Sequence, residues 1–568
     1  MVLGVIPKFY DLINLPRLIY LGIVGIIAIY GLINLNISLK NIVLRNWPAI
    51  LLLFAIIITS ITSNNSWQFN LTGSYQRNNG LIAYLGLTLL LIYISASSND
   101  FLEKIMKHSA IAITIFAIYC TLQLLNLDFL PWNNPYNRII GTVGNPNFSA
   151  ALLGMLATSL IFISQKINKY FKYTLGAFII LLSILTNSLQ GPLTAILGVM
   201  VYFSMINYQK FSKLIISVWS GLLTLIILII LSLTNVIKIN QLNEFILKSG
   251  SGENRIDYWE AGIKIFLKYP IFGVGPNSYQ QYFGEFRSLR QVLRDGANIR
   301  PDQAHSVFIE MLADGGLVLG ISWIIFASFI TLRIIKSVRN NNENLNLLAG
   351  FSAIWIAYLI QSLISIDNLA LTFFGFIGAG GVLALTSSVI GENPLEKQDR
   401  SVLKILMIAP SLAVIFIVGR EAILDFNLNN LIRSKTSTAV DFDNFSKNSG
   451  NAQTDVMIAN YLQQNGDFKI ALNVATRGAK RAARFSDNLY LKAVSESKLG
   501  DSNSGLKSIN QALSYDPLNT YYMVKKANIE FELGDLSASK KTIEKIYKIK
   551  PNEVGFAELI DLINQKKK

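Results

Sequence analysis

Uncharged, mostly apolar runs of about twenty residues recur along the first 420 positions of this chain, and each is long enough to cross the hydrocarbon core of a bilayer as one helix. They occupy residues 18–35, 47–63, 79–98, 109–127, 146–164, 214–237, 315–332, 345–366 and 368–391, with a shorter run at 405–419. The run 173–209 is too long for one helix, and Asn187 to Pro192 supplies a turn inside it, so it reads as two. The expectation is an all-α, polytopic membrane domain of about twelve transmembrane helices over residues 1–420.

Charge is segregated to match. Only 15% of the residues are charged, against roughly 25% in soluble domains, and the last 150 or so positions carry an ordinary soluble composition. The net charge of +15 does not point to nucleic acid, because it sits in short loops between apolar runs. One set of loops carries Lys40, Arg45, Lys104, Lys107, Lys166, Lys169, Lys172, Lys210, Lys213, Arg333, Lys336, Arg339, Lys397, Arg400 and Lys404, while the other carries only Arg77 and Arg138. By the positive-inside rule the first set faces the cytoplasm of a cytoplasmic (inner) membrane. The long loop 238–314 and everything after Arg420 are then extracytoplasmic. Lys8 and Arg17 run against that orientation, so residues 1–16 read as the remnant of a further segment. The first long run lacks a small-residue cleavage site and reads as a spanning helix, not a signal peptide. Cys120 is the sole cysteine, which excludes an intramolecular disulfide.

Beyond a linker at 421–452, residues 453–568 repeat with a period of 34. Ala459, Ala493 and Ala527 keep that step, as do Gly466, Gly500 and Gly534, the aspartates Asp467, Asp501 and Asp535, and Pro517 with Pro551. A small residue in a first helix, a Gly-Asp turn and a closing proline at this period form the tetratricopeptide pattern, a solenoid of helix pairs. Such a solenoid offers a binding surface, here for a protein partner or a large polymer, and names no ligand.

Charged and aromatic residues concentrate in the loop 238–314. A helix is expected from about Ser251, with Glu253 in its first turn and Arg255 and Trp259 on one face. Arg255 has a plain alternative role as a partner of Glu253 or Asp257. Pro270 ends the helix, and Gly273, Gly275 and Pro276 form a turn. The second half runs through Arg300, Asp302, His305 and Glu310 to Gly315, Gly316 and Gly320, which lead into the next membrane helix.

Arg-x-x-x-Trp, Pro-x-x-Gly-x-Gly and Ala-His-Ser with a following Glu and paired glycines, in this order, resemble the shared domain of O-antigen ligases, O-antigen polymerases and bacterial protein O-oligosaccharyltransferases. Residues 73–80 (Gly-Ser-Tyr-Gln-Arg-Asn-Asn-Gly) and 141–148 (Gly-Thr-Val-Gly-Asn-Pro-Asn-Phe) are similar to further segments of these proteins. The resemblance covers roughly residues 10–390. It implies a glycosyltransferase that moves a glycan from a polyprenyl-pyrophosphate carrier to a hydroxyl of a lipid, glycan or protein acceptor, with neither metal nor cofactor. Arg255 would bind pyrophosphate, since guanidinium presents paired N–H groups to phosphate oxygens. His305 would orient or deprotonate the acceptor, with Asp302 or Glu310 fixing its tautomer. Trp259, Arg77, Arg138 and Arg300 complete the implied substrate-binding set. Gln190 stands where the family often has arginine; Arg77, Arg138 or Arg300 would then supply the missing charge. His108, at the edge of an apolar run, reads as structural.

Two rivals remain at this level. A transporter or flippase would show paired internal repeats and mid-membrane ionisable residues, and neither stands out. A scaffold recruited through its repeats would not need the Arg255 and His305 pair.

Overall fold

The computed structural model describes residues 1–2, 4–35, 39–130, 134–136, 138–163, 167–233, 251–339, 344–387 and 397–550. Over these residues it is helical, without a strand. In chain order the helices are α1 (Asn14–Asn34), α2 (Leu39–Thr62), α3 (Trp67–Thr72), α4 (Leu81–Ser95), α5 (Asn99–Leu124), α6 (Pro146–Leu156), α7 (Lys169–Leu185) and α8 (Gln190–Leu233). There follow α9 (Ser251–Lys268), α10 (Tyr279–Phe286), α11 (Leu289–Asp295), α12 (Val307–Ser337), α13 (Leu345–Ile364), α14 (Leu369–Thr386), α15 (Lys397–Leu406) and α16 (Ile408–Arg433). The chain continues with α17 (Ala439–Ser449), α18 (Ala452–Gln464), α19 (Phe468–Arg481), α20 (Ser486–Lys498), α21 (Ser502–Tyr515), α22 (Thr520–Glu532) and α23 (Leu536–Ile549).

Among the described residues, eight helices are long and apolar enough to cross a membrane, against the twelve expected from the runs. Over its described residues every run is helical, but four things lower the count. Leu81–Ser95, at 15 residues, and α7, at 17, are both short. Pro146–Phe162 is also short, and its second half tightens into a 3-10 helix at Ala157–Phe162. The runs on either side of Lys210 join into α8, kinked at Phe211, where φ is −128° and ψ 32°. An apolar run measures composition; it does not register where the backbone bends.

The molecule divides into two compact units. The first contains Met1–Ala55, Gln76–Gly250 and Ile321–Asp425. Its centre is α13 and α14, most of whose residues are buried, packed with α4, α6 and α8. Asp11, within the proposed remnant 1–16, and Arg17 just after it are both tied into this unit. Asp11 caps α1 by accepting the backbone N–H groups of Ile13, Asn14 and Leu15. Arg17 is fully buried and donates to the Thr142 carbonyl at 2.8 Å.

The second unit contains Ile56–Tyr75, Ser251–Gly320 and Phe426–Lys568. Its C-terminal helices begin at residues 452, 486 and 520, and their partners at 468, 502 and 536, so the 34-residue step of the sequence is the step of the helix pairs. Ala459, Ala493 and Ala527 are wholly buried. Gly466, Gly500 and Gly534 all adopt positive φ, between 81° and 89°, which only glycine adopts without cost. Residues 421–452, expected as a linker, are largely helical, as the end of α16 and all of α17. Pro551 and the first part of the loop, 238–250, lie outside the described residues.

Candidate active site

The loop's first half is built on α9, which starts at Ser251 and stops before Pro270 as the sequence predicts. The Pro270–Pro276 turn and the paired glycines then lock together. The N–H groups of Leu317 and Val318 donate to the carbonyls of Pro270 (2.7 Å) and Ile271 (3.2 Å), while those of Val274 and Gly275 donate to Ala313 and Asp314. Both strands of this interlock need glycine. Gly273 has φ 64°, and a Cβ there would lie 2.4 Å from the Asp314 backbone; Gly316 has φ 57°, and its Cβ would meet the Ile271 carbonyl at 2.4 Å. The kink at Gly316 is therefore the seat of the turn, and it fixes the start of α12 against the end of α9.

His305 lies in the bend that opens α12, with φ 55°, a left-handed conformation uncommon for a residue with a side chain and often stored at functional sites. Its carbonyl accepts the indole N–H of Trp259 at 3.3 Å, and its ring lies 5.4 Å from that of Tyr258. The Tyr258 carbonyl in turn accepts from the hydroxyl of buried Tyr279 at 2.7 Å. Glu310 is buried, and its Oε2 accepts the N–H of Ala304. This carboxylate thus holds the backbone on which His305 stands. Asp302 is half-buried in the preceding bend.

Arg255 lies one helical turn before Trp259, about 6 Å along the axis, and is half-buried. Burial pulls its pKa below the ordinary arginine value, yet guanidinium stays protonated. The carboxylates that the sequence offered as its partners are taken by other residues. Buried Asp257 pairs with Arg290 at 2.7 Å and Arg294 at 2.9 Å, and Glu253 with Arg294 at 3.5 Å. Residues two apart on a helix do not face one another. Among the described residues, no carboxylate comes within ion-pair distance of Arg255.

The loop's second half is held by the helix pairs. Arg287 and Asp516 form an ion pair at 2.8 Å with both side chains wholly buried. Arg300 pairs with Asp487 and donates to Ser486 at 3.0 Å and Tyr522 at 3.4 Å. Arg484 bonds Glu285 and lies over the rings of Tyr282 (4.0 Å) and Tyr515 (4.9 Å). Val292 and Ala297 join an apolar cluster with Met523, Ala527, Ile543, Ile546 and Ile549. Arg300, expected to bind substrate, is thus committed to Asp487.

The remaining predicted residues belong to the other unit. Arg77 sits in a turn between Gln76 (φ 66°) and Asn78 (φ 54°), and buried Asn78 donates to Asp11 at 2.6 Å. Arg138 is exposed, its carbonyl accepting from Asn134. Gln190 opens α8 at 3% exposure, and neither its Oε1 nor its Nε2 has a hydrogen-bond partner among the described residues. Next to it Ser188 donates to Asn147 at 2.7 Å. Asn145 caps α6, and Pro146 takes its first position. The stretches 141–148 and 186–191 therefore meet, and Arg17 reaches the first of them through Thr142.

Sequence reasoning missed Tyr258, Asp314 and Asp516, and it offered Asp257 to Arg255 instead of to Arg290 and Arg294. Asp314, one turn after Glu310 on α12, is buried and accepts the N–H groups of Asn277, Ser278 and Tyr279. Its helical spacing from Glu310 was a usable signal; the partners of Asp257 and Asp516 had none nearby in sequence.

A family model described as O-antigen ligase matches residues 174–324. The match takes in Gln190, Arg255 and His305 and leaves out Arg77 and Arg138. It supports the O-antigen ligase family and a glycosyltransferase-type enzyme, and with the apolar helices it supports a multi-pass membrane protein. No curated protein matches the chain.

Proposed function

We propose that this protein transfers a glycan from a polyprenyl-pyrophosphate carrier to an acceptor hydroxyl on the extracytoplasmic side of the cytoplasmic membrane. The observation that carries the reading is the state of Arg255. A half-buried guanidinium with no carboxylate partner among the described residues, on a helix whose next turn touches His305, is a cation kept for an anion that arrives. As the glycosyl bond breaks, negative charge grows on the departing pyrophosphate, and a preorganised guanidinium lowers that barrier without a metal. His305 takes the acceptor proton as the hydroxyl attacks, a role an imidazole nitrogen can fill as general base. Gln190 supplies a neutral donor and acceptor to the donor substrate. An orphaned buried amide costs about 1–3 kcal/mol for each unsatisfied group, and substrate hydroxyls or phosphate oxygens would relieve that cost. Arg77 and Arg138 are the cations proposed to offset the missing arginine at position 190. The C-terminal helix pairs are read as tetratricopeptide repeats.

The test is transfer by the purified full-length chain, supplied with polyprenyl-pyrophosphate glycan and a panel of lipid, glycan and protein acceptors. Product joined to at least one acceptor class is expected. A folded protein that turns over none of them, and does not hydrolyse the donor, overturns the reading. Sidedness is tested separately with cysteines at the exposed positions Leu293 and Leu499. An impermeant reagent should label both from outside and should not reach one placed at Lys336.

A further inference from the structure

Successive helix pairs use one repeat position to hold this chain's own segments. Gln453 and Asp487 stand 34 residues apart, each the second residue of its helix. Gln453 accepts the backbone N–H of Tyr75 at 2.5 Å and donates to Gln280 at 3.2 Å, while Asp487 pairs with Arg300. The third equivalent, Tyr521, is exposed and lies 5.2 Å from Tyr490. Around these contacts are the buried Arg287–Asp516 pair and the Arg484 sandwich. Gly284 lies so close that a Cβ on it would come within 2.8 Å of the Asp516 carboxyl carbon.

A chance packing contact would be apolar or rim-like. Here two arginines of the loop are desolvated and matched by carboxylates, an arrangement that fixes one register, because any other leaves a buried charge unpaired. Arg300 stands five positions before His305, and Pro301, Gln303 and Ala304 between them are buried. A shift at Arg300 therefore has little slack in which to die out before it reaches the histidine.

We propose that the helical repeats are the loop's own seat. The position a repeat array would offer to a foreign ligand is taken in cis, and Arg300 is a positioning residue for His305. The seating stands on geometry alone; its effect on turnover rests on the glycan-transfer reading.

The experiment uses the full chain in nanodiscs, with a protease site placed in the exposed turn 434–437 between α16 and α17. After cleavage the C-terminal fragment should stay bound, and its release from the unmutated protein overturns the proposal. With Arg287→Ala and Arg300→Ala together, the fragment should dissociate roughly a hundredfold faster or more. Retention as tight as in the parent also overturns it. If the double variant does not accumulate, Asp487→Asn takes its place in the same assay, with faster release expected and unchanged release counting against the seat. In the transfer assay Arg300→Ala and Asp487→Ala should each lower kcat with the donor KM nearly unchanged. The pair should be no worse than either alone, as for two ends of one contact. Unchanged kcat, or losses that add, would sink the positioning role. Absence of turnover in the parent would count against the transfer reading and leave the release arms to decide the seat.

Discussion

In the first half of the loop Arg255 stands half-buried on α9 while Arg290 and Arg294 take the carboxylates beside it. In the second half Arg287 and Arg300 are sunk against Asp516 and Asp487. All three arginines follow the same chemistry, and the difference lies in who neutralises them. A buried guanidinium whose anion is supplied by the fold contributes register. One whose anion is not supplied is held ready for a ligand, at some cost in stability. Sequence reasoning put both kinds at the site, Arg255 as a catalytic residue and Arg300 as a substrate-binding one. Placement separates them.

The comparison is broken most directly by crossing the two halves. Arg255→Ala should leave folding nearly untouched, by about 1 kcal/mol or less. It should lower transfer on the order of 10²–10³-fold, the cost of removing one preorganised donor, and Arg255→Lys should rescue little because it lacks the planar fork. His305→Asn keeps a residue tolerant of positive φ and removes the base, so folding should persist and transfer should fall about 10²–10⁴-fold. Steady-state kinetics on protein of verified folding checks both, and full activity in either would return that residue to a structural role. Arg287→Ala should do the reverse. Buried Asp516 is then left with only Arg300 at 3.9 Å and the Asn519 amide, at a cost of up to about 3–5 kcal/mol, seen as early thermal unfolding of the loop and repeats. Arg287→Ala with Asp516→Ala should be less damaging than Arg287→Ala alone; an additive loss would mean that the pair is not coupled. Smaller still is Gly316→Ala, which asks alanine to hold φ 57° against the Ile271 carbonyl. It should cost about 1–3 kcal/mol, loosen the turn that fixes α9 to α12, and reduce kcat more than its stability loss explains.

How much of this was legible in the sequence depends on the range of the interaction. Local features came through. The start of α9 at Ser251, the glycine turn after Pro270 and the 34-residue register appear where caps, glycines and periodicity put them. The span count did not come through, because the short α4 and α7, the 3-10 half of the α6 segment and the bend at Phe211 are backbone events within apolar sequence. Nor did the pairing of arginines. Arg300 and Asp487 are 187 positions apart, and spacing rules reach three or four residues along a helix. Glu253 and Asp257 looked like partners for Arg255 because they were near in sequence. On a helix, nearness at two residues means opposite sides.

The smallest effect sharpens the comparison from the paired side. Burial pushes the Glu285 carboxyl up, but its bonds to Arg484 and Lys268 outweigh that and hold it below the usual 4.5. The folded protein therefore binds fewer protons at this site than the unfolded chain. Its stabilisation is complete above about pH 4.5 and is lost as the pH falls through the lowered value. Glu285 and Arg484 are each 23% exposed, so solvent screening limits the contribution to about 1 kcal/mol or less. Measured against Glu285→Gln, the stability difference should be constant at neutral pH and shrink toward zero in acid. Arg255→Ala, measured over the same range, should show no comparable trend, because among the described residues no carboxylate titrates against that guanidinium. A difference that instead grew in acid for Glu285→Gln would mean that desolvation, not Arg484, governs this carboxyl, and the contact would then be incidental packing instead of part of the seat.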